Sequence, residues 1–170
     1  MIELDEFRRA RDHFFAHDPQ SPLTARQRQN FSGLRYFPEN PGLRLEVVVE
    51  PAAEKAPVEM QTSTGDVQVY TRAGRFQFDV NGQQAELTIY ESPGGLFLPF
   101  VDALTGLETY PAGRYLEPEP LAGGRVLVDF NLAYNPYCAY NAQWSCPLPP
   151  FENRLKLPIR AGEQVFDDTH

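Results

Sequence analysis

At 170 residues the chain has room for one domain but is short for two, and its 42% hydrophobic, 22% charged and 12% aromatic content excludes a mostly disordered segment. A formal charge of −8, from 23 acids against 15 bases, argues against a partner gripped by its phosphates, which needs a basic footprint. Two cysteines exclude a disulfide scaffold, and no stretch approaches the ~20 apolar residues that cross a bilayer.

The opening residues, Met1 to Phe7, are acidic and contain no basic stretch followed by an apolar run, so no signal peptide is expected and the expected compartment is cytoplasmic. Phe7, Ala10 and Phe14 then recur at helical steps, with Leu4 and Phe15 beside them and Arg8, Arg9, Arg11 and Asp12 elsewhere. Asp18-Pro19 ends this helix, because the residue before proline is pushed out of helical geometry. Thr24 and Gln27 have capping-box spacing and open a second, short helix that buries Phe31 and stops at Gly33. Residues 1–32 are therefore an N-terminal helical segment.

From Leu43 the period becomes two. Leu43, Leu45, Val47 and Val49 alternate with Arg44, Glu46, Val48 and Glu50 as in a half-buried strand. Val58 to Thr62, Val67 to Thr71 (ended by Gly74) and Phe76 to Val80 continue the pattern. Asn81-Gly82 is a strong hairpin signal, and Ala85, Leu87 and Ile89 return as the next strand. Leu96 to Phe100, short strands near Glu108–Tyr110 and Arg114–Leu116, and Arg125 to Phe130 follow. Leu155, Leu157 and Ile159 predict a closing edge strand over 155–160, with Pro158 marking the edge. The reading is a single, mainly β domain over 1–170. About nine short antiparallel strands, most of them within 43–130, form a barrel or a sandwich behind one or two N-terminal helices.

Residues 131–154 break the pattern. They hold three tyrosines, the sole tryptophan, both cysteines and four prolines, too aromatic for a solvated linker, so a long ordered loop is expected. It reads both as a lid with an aromatic plug and as a ligand site, and the two are compatible.

This loop also carries a resemblance. Asn135-Pro136-Tyr137-Cys138-Ala139-Tyr140-Asn141, Trp144-Ser145-Cys146-Pro147-Leu148-Pro149-Pro150, Glu152-Asn153-Arg154-Leu155 and Pro158-Ile159-Arg160-Ala161-Gly162-Glu163 resemble the signature of a prokaryotic family catalogued as a domain of unknown function. Phe97-Leu98-Pro99-Phe100, Asp102, Thr105-Gly106, Thr109-Tyr110 and Gly113-Arg114-Tyr115-Leu116 resemble its middle block. Ser21-Pro22-Leu23 and Gly33-Leu34-Arg35-Tyr36-Phe37 resemble its opening block. Lys156 stands where a proline is expected. The resemblance implies motif positions and no mechanism.

Cys138 and Cys146 are separated by seven residues, which is not the Cys-x-x-Cys spacing of a zinc knuckle or thioredoxin-like site. Buried free thiols are the first reading, a disulfide or redox pair the second and a metal the last; neither a metal nor a cofactor is expected. Three histidines supply a Cys-His enzyme poorly: His170 is terminal, and His13 with His17 reads as a solvated helix face. Asp102, Glu108 and Glu152 are the candidate acids and bases, with an Asp/Glu–Arg network as their structural alternative.

The best functional reading is binding of a small molecule at a barrel mouth. Tyr110, Tyr134, Tyr137 and Trp144 would supply apolar contact there, with Cys138 and Cys146 beside them. Asn135, Asn141 and Asn153 would hydrogen-bond, and Arg114 and Arg154 would meet an anionic group. A hydrolase or lyase using the paired carboxylates, and a protein-interaction module through the aromatic loop, are the alternatives. Nucleic acid and membrane partners are not expected, and the oligomeric state is open.

Overall fold

The computed structural model describes residues 3–167, so the terminal position read for His170 lies outside the described residues. The N-terminal pattern folds as predicted. Helix α1 spans Leu4–His17 and ends where Asp18 turns extended ahead of Pro19. Helix α2, Ala25–Gln29, starts on the Thr24–Gln27 capping box, each residue's side chain bonded to the other's backbone. The helix faces differ from expectation, because only Phe15 of α1 is buried while Phe7, Ala10 and Phe14 stay partly or fully exposed.

Nine strands follow among the described residues: β1 Arg44–Val48, β2 Glu50–Pro51, β3 Pro57–Gln61, β4 Val67–Val80, β5 Gln83–Ser92, β6 Gly95–Phe100, β7 Arg114–Leu116, β8 Glu119–Pro120 and β9 Arg125–Asp129. All strand pairs are antiparallel, and the links within β3-β4-β5-β6 and β8-β9, two to five residues each, are too short for parallel crossovers. They form a three-stranded sheet, β1-β9-β8, and a six-stranded sheet, β2-β4-β5-β6-β7, with β3 also on β4. The sandwich alternative therefore fits, and the closed barrel does not form among the described residues.

The two strands expected on either side of Gly74 are one. β4 runs through it with a register shift between Arg72 and Gly74. A side chain at Gly74 would put its Cβ 2.5 Å from the Glu50 carbonyl oxygen, so the glycine is what lets β2 lie against β4. The β4–β5 hairpin turns at Asn81 and Gly82, both at positive φ, as its dipeptide predicts. No strand forms at Glu108–Tyr110, where Thr105 and Thr109 make only an isolated bridge.

Phe76, Phe78 and Val80 of β4 and Leu87 and Ile89 of β5 meet Val47, Val126 and Val128 of the other sheet in one core. Tyr90, Phe97 and Tyr115 form a second core with Met60 and Cys146 under the aromatic loop, and Phe15, Leu34 and Tyr140 form a third under α1. None of the described helices is long and apolar enough to cross a membrane.

The closing edge strand expected over 155–160 is absent. Backbone bonds join Leu155 to Val101 and Ala103 to Leu157, but Pro158 removes the next donor and side chains take over beyond it. The Ile159 amide donates to the Asp102 carboxylate at 2.7 Å, and Arg114 donates to the carbonyls of Ile159, Ala161 and Glu163.

Candidate functional site

Between α1, the β7–β9 strands and the aromatic loop lies a groove of about 760 Å³. The face of α1 that the sequence assigns to the core, Phe7, Ala10 and Phe14, forms one wall. Tyr134, Tyr137, Trp144 and Cys146 of the loop form another, and Leu127 and Leu132 line the groove as well. Tyr137 and Trp144 meet edge to face with centroids 5.2 Å apart, so the wall is held by its own aromatic packing. Burial, and then a hydrogen bond to Glu117, keeps the Tyr134 phenol protonated by raising its pKa. Glu117, Glu119 and Asp129 bring acidic groups to the groove. Among the described residues its lining cation is Arg11, which is committed to Glu163 at 2.7 Å.

The other predicted residues divide between this groove and the scaffold behind it. Asp102 and Arg114 are almost fully buried and pair at 3.2 Å. Asn153 is fully buried where β5 and β6 diverge, and its amide accepts from the Thr88 N–H and donates to the Thr88 and Pro99 carbonyls. Asn135 is fully buried and donates to Glu163 through both backbone and side chain. Asn141 accepts from the Gln143 amide within its own turn. Arg154 is exposed and bridges Val101 through its backbone.

The three candidate carboxylates do not meet. Asp102 pairs with Arg114, Glu108 with Arg160 at 2.9 Å, and Glu152 with Arg72 at 2.8 Å while accepting from the Tyr90 hydroxyl. The arrangement matches the Asp/Glu–Arg alternative, each acid holding its own arginine. Groups of three or more histidine, cysteine or acidic side chains able to hold a metal are absent among the described residues.

Tyr110, Cys138 and Cys146 come together beside the groove, joined by Ser63, which the sequence reading missed. The Tyr110 hydroxyl donates to Cys138 Sγ at 3.3 Å, and the Cys138 amide reaches Cys146 Sγ at the same distance. A second omission is Glu163, fully buried, which accepts from Arg11, from the Asn135 backbone and side chain, and from the Tyr140 hydroxyl. Burial pulls Arg11 down, but Glu163, Tyr140 and Tyr36 outweigh it and fix the guanidinium as a cation. The only signal for Glu163 in the sequence is its place at the end of the closing block.

The loop is clasped from the far side by the turn after β3. Leu148 donates to the Gln61 carbonyl at 2.8 Å, and Asp66 accepts from Thr62, Thr64 and Ser145. Those hydroxyls hold the Asp66 carboxyl at about 2, below the ordinary value, so its contribution is complete above about pH 4 and is lost as pH falls through about 2. An acid titration followed by Trp144 fluorescence should show a step between about pH 4 and 2 that disappears in Asp66→Asn. The same step in that variant would assign it to another group.

A two-sheet antiparallel protein carrying an aromatic groove under its N-terminal helix is thus the class that the fold and site define. Residues 29–164 match the family described as protein of unknown function (DUF1684), and the chain belongs to that family. The chain is similar to the solution NMR structure of the uncharacterized protein from gene locus rrnAC0354 of Haloarcula marismortui. The two are 37% identical, with 98% of this chain and 94% of that one covered and a TM-score of 0.73. No curated protein matches.

Proposed function

We propose that the groove binds a small, planar, largely apolar molecule that is neutral or cationic at its edge. The observation that carries this reading is the Phe7–Ala10–Phe14 stripe, left partly or fully exposed and lining the same groove of about 760 Å³ as Tyr134, Tyr137 and Trp144. That volume lies within the range of small-molecule sites, and apolar helix faces normally pack against protein. The acidic groups and the neutralised Arg11 favour a cationic edge over the anionic group that Arg114 and Arg154 suggest in the sequence. The net charge of −8 agrees with a ligand other than nucleic acid.

Trp144 is the sole tryptophan and lines the groove, so it reports on occupancy. Titration with a cationic aminoacridine should quench it saturably, and the anionic probe anilinonaphthalene sulfonate should bind at least about tenfold more weakly. Ala10 is exposed and lines the groove, so Ala10→Phe should fill it, weaken the acridine at least about tenfold and leave the unfolding free energy within about 0.5 kcal/mol. Linear, unsaturable quenching by both probes, or quenching indifferent to Ala10→Phe, would refute the reading.

A further inference from the structure

Beside the groove, the two thiols stand in an asymmetric arrangement that packing alone does not require. We propose that Cys138 and Cys146 are a redox-active dithiol that exchanges with a low-molecular-mass disulfide, Cys138 as the attacking sulfur and Cys146 as the resolving one. Cys138 lies in the turn at Tyr137–Ala139 and is partly exposed, whereas Cys146 is 6% exposed. Tyr110 donates its hydroxyl to Cys138 Sγ, and the Cys138 amide donates to Cys146 Sγ. Ser63 anchors the Cys146 backbone: its amide donates to the Cys146 carbonyl at 2.9 Å, and its hydroxyl accepts from the Cys146 amide at 3.1 Å. The intervening turn exposes Ala142 and Gln143, which leaves it free to adjust as a bond closes.

The electrostatics agree with these roles. A hydrogen bond from Cys146, and smaller ones from Tyr110 and Ser63, outweigh burial and bring the Cys138 thiol down to about 6. Cys146 moves the other way, raised first by its bond to Cys138 and then by burial. Near neutral pH the site therefore holds one thiolate and one thiol. Simple burial would raise both.

The chemistry balances without a further reagent. The Cys138 thiolate attacks one sulfur of the small disulfide and expels the other half as a thiolate. Cys146 then attacks Cys138 sulfur, closes the intramolecular bond and releases the second half, its proton passing to the departing sulfur. The protein dithiol is oxidised by two electrons, and one disulfide is reduced to two thiols. The hydroxyl that donates to Cys138 Sγ belongs to a neutral group, Tyr110. A nucleophilic thiolate, an exposed approach and an adjacent thiol suffice for this exchange.

The experiment uses the reduced full-length chain, glutathione disulfide as probe, and intact mass after an alkylating quench. Wild type should lose two hydrogens without unfolding and recover them in reduced glutathione. Cys146→Ser should accumulate one glutathione on Cys138, whereas Cys138→Ser should react at least about tenfold more slowly. In wild type, which needs no variant to fold, iodoacetamide should label Cys138 with a half-point near pH 6, and at that pH about tenfold faster than an ordinary cysteine peptide. Tyr110 is a positioning residue, and Tyr110→Phe should move that half-point up with unchanged circular dichroism. Native protein inert to glutathione disulfide, an adduct on Cys146 in place of Cys138, or oxidation by hydrogen peroxide alone would each overturn the proposal. The readout is separate from acridine binding, so either idea can fail alone.

Discussion

Replacing Arg114 by leucine should lower the midpoint of urea unfolding by about 1.5–2.5 M, corresponding to roughly 3–5 kcal/mol at a typical slope of about 2 kcal/mol/M. The guanidinium is 1% exposed and serves four groups at once: the Asp102 carboxylate and the carbonyls of Ile159, Ala161 and Glu163. Leucine keeps most of the volume but leaves the buried Asp102 carboxylate without its counter-ion, held only by the Ile159 amide and the Thr105 hydroxyl, and takes the donor from three buried carbonyls. Adding Asp102→Asn should return the charge component and less than half of the total, because the carbonyls stay unpartnered. Burial alone disfavours the charged form of Arg114, and Asp102 opposes that effect first. A midpoint shift below about 0.3 M in Arg114→Leu would show that the segment 159–163 is held by other contacts.

Glu163→Gln should cost about 3 kcal/mol and should show first at α1. All four groups around the carboxylate are donors, and the amide offers them a single acceptor while adding N–H groups of its own. Arg11 then lies beside the groove with no counter-ion, and the middle of α1 keeps only its neutral tie to Tyr36 and the Leu34 N–H bond to Asp12. Two local readouts follow. Limited trypsin digestion should cut after Arg8, Arg9 or Arg11 at denaturant concentrations that leave wild type intact, and Trp144 fluorescence should change before the far-ultraviolet circular dichroism does. Arg11→Met in the same chain should restore more than half of the lost stability, because it removes the uncompensated charge. Unfolding that begins uniformly across the chain, with no early cleavage at α1, would remove Glu163 from this role. It would also separate groove closure from the strength of the central network.

Both predictions concern residues that the chain order hides in different ways. Arg114 is named by the family resemblance, yet only burial shows it to be scaffold and not an anion clamp. Arg11 looks like one more polar position on an amphipathic helix, and Glu163 like a surface acid after a glycine; their pairing at 2.7 Å joins residues 152 positions apart. The helix stripe illustrates the same limit. Period 3.6 correctly marks Phe7, Ala10 and Phe14 as one face, but the face opens onto the groove while Phe15 takes the core position.

What the sequence by itself determined are the features set by neighbours in the chain. The Asp18-Pro19 stop, the Thr24–Gln27 box, the Asn81-Gly82 turn and the alternation through β1, β4 and β5 each depend on backbone sterics or a period of two, and each appears where its residues place it. The irregular loop over 131–154 was legible for the same reason, since its prolines deny both helix and ladder. The tertiary structure alone decided matters that rest on long-range satisfaction of buried polar groups. A buried donor must find an acceptor wherever the chain brings one. That requirement turned the expected closing strand into a segment bonded by Arg114 and Asp102, set Asn153 between β5 and β6, and brought Tyr110 and Ser63 to the two cysteines.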